Sequence, residues 1–177
     1  MRTLFFHEDD YCQQELVPLA ARDYCVAQMK EIETFSDAHP AGEGGASEMY
    51  IRKDPPHTLK ELSLRVSQID AAVRDALPRF DQVITEYGST SRKAPNVTAY
   101  GEEDGVALFV ETDASNRVSA LWIDPWGAGD PNDLAAIFSA LPRADALLFV
   151  DWAGGVMFAA SDRDAWRAYF EALATPE

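Results

Sequence analysis

Four stretches of this 177-residue chain carry residue types that could do chemistry. His7-Glu8-Asp9-Asp10 joins an imidazole to three carboxylates, a donor set that suits zinc, manganese or iron. Such a site wants a second histidine close by, and His39 and His57 both sit beside Pro in loop-like sequence. A charged turn closing a hairpin accounts for the same four residues. Cys12 or Cys25 with His7 would make a thiol–imidazole pair. Both cysteines fall on apolar faces, however, where a packed thiol is the ordinary outcome. Gly127-Ala128-Gly129-Asp130-Pro131-Asn132 stands between a strand and a helix and begins as a dinucleotide-binding turn does. Asn132 replaces the third Gly, and Asp130 would place its own carboxylate where a pyrophosphate must bind. A capped turn is the simpler reading. Asp124 and Asp151 each end an apolar strand, either as strand-end caps or as the lining of one rim of a sheet. The chain contains no Gly-Lys-Ser/Thr, no G-x-S-x-G and no calcium-binding loop. No catalytic, cofactor-binding or metal-ligating residue is assigned.

A binding surface is the better-marked feature. Trp122, Trp126, Trp152 and Trp166 all follow residue 120, and helical spacing sends Trp166 to the core. Trp126 lies in Asp124-Pro125-Trp126-Gly127-Ala128-Gly129-Asp130, an aromatic residue among acids and glycines. Aromatic anchors with a charged rim characterise protein interfaces. Trp126 is therefore expected to contact a partner, with Asp124 and Asp133 beside it and Asp130 given over to capping. The acidic turns Glu8, Asp9, Asp10 and Glu102, Glu103, Asp104 join this expected surface, exposed and dispensable for folding. The alternative folds Trp126 back over the sheet edge.

Charge narrows the partner. The formal net charge is −15 and the pI about 4.4. A field of that sign repels nucleic acid and anionic membranes and leaves a basic protein partner, or no charged partner at all. The excess is uneven: residues 1–50 carry −7, 51–100 carry +2, 101–150 carry −7 and the last 27 carry −3. No apolar run approaches the roughly 20 residues of a membrane span. The opening MRTLFFHEDD lacks a secretory pattern, so a cytoplasmic chain is expected. Two cysteines are too few for a disulfide framework.

The elements that would position these residues follow from periodicity. Strands are expected at 3–7 and 11–17, joined by the Glu8–Asp10 turn, and an amphipathic helix over 20–36. A Gly-rich loop covers 39–48, and 49–52 is a short strand. Leu59, Leu62, Val66, Ile69, Val73 and Ala76 share one helical face before Pro78, with Ser67 and Asp70 as a capping box within it. Residues 82–87 form a strand ended by Gly88-Ser89-Thr90-Ser91. Strands at 97–100, 106–112 and 117–124 make a meander across turns at 101–105 and 113–116. Asp130 caps a helix that starts at Pro131 and ends at Pro142. Strands at 146–151 and 156–160 turn at Gly154-Gly155, and Ser161 caps a last helix. Tight turns between adjacent strands predict an α+β fold in one domain, residues 1–177: a mainly antiparallel sheet with about four helices against it.

The FFHEDDYCQ opening, the MYIRKDPP segment and the ALWIDPW and LLFVDW runs resemble small acidic immunity proteins that bacteria encode beside secreted polymorphic toxins, including those of type VI secretion systems. The resemblance implies a non-enzymatic protein that binds and neutralises one cognate toxin in the cytoplasm. It carries over no functional residue. The rival expectation is a small cytosolic enzyme whose site is assembled from dispersed residues.

Overall fold

Three apolar runs between turn residues build one half of the main sheet of the molecule, whose computed structural model describes residues 1–39, 50–87, 90–127 and 129–174. β5 (Val97–Gly101), β6 (Ala107–Thr112) and β7 (Val118–Asp124) form the expected antiparallel meander. Gly101 holds φ +146°, and a Cβ there would lie 2.5 Å from the Val106 carbonyl oxygen, so the turn into β6 demands glycine. At the next turn Asp113 Oδ1 accepts from the N–H groups of Ser115 and Arg117. β7 then pairs with β2 (Gln14–Pro18), which pairs with β8 (Leu147–Asp151), and β8 with β9 (Val156–Ala159). The order of this six-stranded sheet is β5-β6-β7-β2-β8-β9. Every pairing in it is antiparallel, so β7 and β8, on either side of β2, run the same way. Asp124 and Asp151 thus emerge at one edge of the sheet.

A second sheet has three strands in the order β1-β3-β4: β1 (Thr3–His7), β3 (Gln82–Tyr87) and β4 (Thr90–Lys93). β1 runs parallel to β3, and β3 antiparallel to β4. This corrects the expected first hairpin. β1 and β2 belong to different sheets, and Glu8–Asp10 is a 3-10 turn leading from one layer to the other. Cys12 lies outside β2 at φ 54°. The reason is burial: Gln14, Leu16, Val17 and Pro18 are all buried because β2 is a central strand, and central strands do not alternate.

Helices cover the rest. Cys25, Met29 and Ile32 of α1 (Arg22–Ala38) pack with Val17, Leu148, Val150 and Trp152 on one face of the large sheet. The small sheet covers the same face further along, where Leu4, Phe6 and Val83 meet Phe109 and Trp122, stacked at 5.0 Å. The opposite face receives α2 (Val66–Val73), α3 (Pro131–Ser139) and α4 (Arg163–Ala174). The result is the expected α+β class, with an antiparallel six-stranded sheet, a mixed three-stranded sheet and four α-helices among the described residues. None of those helices is long and apolar enough to cross a membrane.

Several local expectations change. The 59–76 periodicity is not one helix. Leu59–Leu62 is a 3-10 turn, Ser63 is left-handed at φ 53°, and Leu64 is buried as the chain turns. α2 starts after Arg65, whose N–H donates to Gln68 Oε1 at 3.0 Å, so the cap lies there and not at Ser67 and Asp70. Residues 50–52 are irregular, and β4 occupies 90–93 where a strand end was expected. Asp162, not Ser161, caps α4 by accepting from the Ala165 N–H at 3.0 Å. Asp130 caps α3 as expected. Most of the expected 39–48 loop, Met49 and Gly88-Ser89 lie outside the described residues.

Candidate functional site

The register Ala107↔Asp124 sets the β5–β6 turn beside the loop that leaves β7. The two touch backbone to backbone. A Cβ on Gly127 would lie 2.3 Å from the Gly105 carbonyl carbon, so glycine is required for the loops to close on each other. Trp126 N–H donates to Asp124 Oδ1 at 3.1 Å, which folds the loop over its own strand end. Pro125 is buried, and Val106, Leu134 and Phe170 help line a small cavity of about 60 Å³ beneath the loop. Held this way, Trp126 is 66% exposed and does not fold back over the sheet edge.

Acidic groups surround it. Glu102, Glu103 and Asp104 are exposed on the neighbouring turn, and Asp133 is exposed in the first turn of α3. Burial raises the Asp124 carboxyl above its ordinary range; the bond from Trp126 N–H opposes this, and the charge of Asp10 adds to it. Asp10 itself is exposed. Asp130 is held below the ordinary range by the N–H groups of Asn132 and Asp133, as a cap should be. Glu8 and Asp9, both exposed, are turned to local partners: Glu8 lies 3.4 Å from Arg92, and Asp9 3.3 Å from His7. Glu102 pairs with Arg2 at 3.1 Å. Asp10, Glu103, Asp104, Asp124 and Asp133 make no ion pair among the described residues.

Asp124 and Asp151 both act as strand-end caps. Asp151 is buried and accepts from Gly154 N–H at 2.9 Å, Tyr169 O–H at 2.9 Å and Gln14 Nε2 at 3.3 Å. Both thiols are buried, and burial, with Glu15 adding, pushes Cys25 up to about 11 and Cys12 upward as well. That is the opposite of what activates a cysteine nucleophile. Among the described residues, no group of three or more His, Cys, Asp or Glu is placed to hold a metal ion.

Sequence reasoning missed the polar joint on the α1 side of the sheet. Glu15 Oε1 accepts from Arg52 Nη1 at 2.6 Å and from Trp152 Nε1 at 2.7 Å, and the Arg52 guanidinium lies 4.3 Å from the centre of the Trp152 ring. These residues are far apart in sequence, and only their types (an acid, an Arg and a Trp) hinted at pairing.

The raised carboxyl of Asp124 gives a signed expectation. Its ionised form costs stability at neutral pH, and that cost fades as pH falls through its raised folded-state value. Asp124→Asn keeps an acceptor for Trp126 N–H. It should melt at or slightly above wild type at pH 7, by no more than about 0.5 kcal/mol. The two proteins should converge as the pH approaches about 4. Paired thermal melts across that range check the sign.

No family model, no curated protein and no solved structure matches the chain.

Proposed function

We propose that this chain is a non-enzymatic immunity protein that binds a basic cognate toxin in the cytoplasm and neutralises it through the rim around Trp126. One observation carries the reading: a tryptophan 66% exposed on a glycine-braced loop, with the half-buried Asp124, which has no ion-pair partner among the described residues, bonded to its backbone. Exposed tryptophans on fixed loops are efficient anchors, because little side-chain freedom is lost on binding. Carboxylates without an ion-pair partner among the described residues, here Glu103, Asp104 and Asp133, remain available to a cationic surface and steer its approach. An acid that weakens the isolated fold gains its compensation from a cationic partner.

The reading is tested against the purified products of the neighbouring genes, basic ones first. Titration should give saturable binding that slows with added salt. Trp126→Ala should weaken it by about 2 kcal/mol or more, roughly thirtyfold, with circular dichroism unchanged. Replacing Glu102, Glu103 and Asp104 together by Ser should mainly slow association and flatten its salt dependence, with the melting temperature nearly unchanged. Wild-type affinity in Trp126→Ala would move the interface elsewhere, and absence of binding by the wild-type chain would remove the reading.

A further inference from the structure

The two sheets part towards the far end of β1, leaving a cleft of about 390 Å³. Phe6 is in register with Thr85 and Thr85 with Arg92, so these three side chains form one row on the face of the small sheet that looks at the large one. Ala94 lies beside Phe6, and Val97 of β5 and Glu111 of β6, in register with each other, form the facing wall.

Two polar groups in this cleft lack what they need. Thr85 is buried at 9% exposure, and its Oγ1 has no hydrogen-bond partner among the described residues. Buried hydroxyls are rarely left in that state. Glu111 is half-buried, and its one described bond is from Tyr11 O–H at 2.7 Å. It has no cation within ion-pair distance among the described residues. The cation of the cleft, Arg92, is 74% exposed at the lip and is already 3.4 Å from Glu8. Two carboxylates and one guanidinium leave the lining with one excess negative charge. An anionic ligand would meet that excess at close range, and a purely apolar one would bury Thr85 and Glu111 unsatisfied.

We propose that the cleft binds a small primary amine on a compact apolar body. The ammonium group donates to Glu111 and to Thr85 Oγ1, and the body lies against Phe6, Ala94 and Val97. The site is independent of the Trp126 rim and stands whether or not the rim binds a toxin.

Phenethylamine is a suitable probe, with phenethyl alcohol and phenylacetate as its neutral and anionic counterparts. Calorimetric or NMR titration of the whole chain should show one saturable site for the amine, with each counterpart at least about tenfold weaker. Thr85→Val removes an unbonded hydroxyl at nearly constant shape, and Glu111→Gln keeps an acceptor for Tyr11, so both variants should fold. Each should weaken the amine about tenfold or more. Glu103→Gln, on the rim, should leave it unchanged. Equal binding of amine and alcohol, loss of affinity in Glu103→Gln to match that in Glu111→Gln, or no saturable binding would overturn the proposal.

Discussion

Trp166→Ala should remove about 3–5 kcal/mol of stability, the largest effect expected of any single truncation here. Trp166 is fully buried on α4 and lies within aromatic contact of Phe138, Phe149, Phe158, Tyr169 and Phe170. Those rings come from α3, β8, β9 and α4, so one side chain ties two helices to two strands. Its Nε1 also donates to the Ala160 carbonyl at 2.8 Å, at the end of β9. Truncation leaves a cavity that fixed strands cannot collapse into, together with a carbonyl that has lost this donor. In a chain of this size the melting point should fall by roughly 6–20 °C. Trp166→Phe keeps a ring and loses the bond, so it should cost about 1–2 kcal/mol. Urea denaturation of the three proteins tests the order. A melting point for Trp166→Ala within a few degrees of wild type would show that the aromatic cluster does not hold the layers together.

The helix carrying Trp166 was legible because its apolar residues recur at helical spacing and pack on one side. The meander of β5, β6 and β7 was legible because glycine and Asx turns separate its apolar runs. The expected first hairpin fails for a physical reason. A turn after a strand says that the chain reverses or leaves, and local sequence does not state which sheet receives the next strand. Only the burial of β2 on both faces decides that, and that burial comes from α1 and the helices across the sheet. The break at Ser63 was hidden because Leu59, Leu62, Val66, Ile69 and Val73 all reach the same core through two short helices, mimicking one long face. At the rim, the Trp126 loop and the acids of 102–104 were each visible as segments. Their meeting through Gly105 and Gly127 is a product of strand register, which no single segment encodes.

The uneven charge along the chain also acquires a structural meaning. The nearly balanced middle third supplies cations to the acidic N-terminal part. Arg52 pairs with Glu15, Lys53 with Glu31 and Arg92 with Glu8. The acids of the β5–β6 turn receive none of these; their one ion-pair partner among the described residues is Arg2 of the N-terminal part, on Glu102. Glu103, Asp104, Asp124 and Asp133 are left unpaired among the described residues. The surplus charge of residues 101–150 is therefore concentrated where Trp126 is displayed.

Glu15→Ala should cost about 3 kcal/mol, at the lower end for a broken buried ion pair, because solvent still reaches both groups. The Glu15 side chain is 16% exposed and that of Arg52 26%. Removing the carboxylate leaves the guanidinium over Trp152 with only the Cys12 carbonyl, 3.1 Å from Nη2, as a described acceptor. It also takes the acceptor from Trp152 Nε1. The loss spreads through residues 50–53, because Arg52 is one of several points that fix this segment to the core. Tyr50 O–H donates to Glu31 at 2.7 Å, Lys53 N–H donates to Gln28 Oε1 at 3.1 Å, and Tyr24 O–H donates to the Lys53 carbonyl. Hydrogen exchange at 50–53 should accelerate in Glu15→Ala while the amides of β6 and β7 stay protected. Arg52→Ala should cost less, about 1–2 kcal/mol, since Glu15 keeps its bond from Trp152 and water can enter the vacated space. The double variant decides whether the pair acts as a unit. Once Glu15 is gone, Arg52 is a charge stacked on a ring with no counterion, and its removal should relieve part of the damage. The double variant should therefore be more stable than the sum of the two losses predicts, by about 1 kcal/mol or more. Strict additivity would mean that Glu15 acts through Trp152 alone and that Arg52 contributes by packing on the indole.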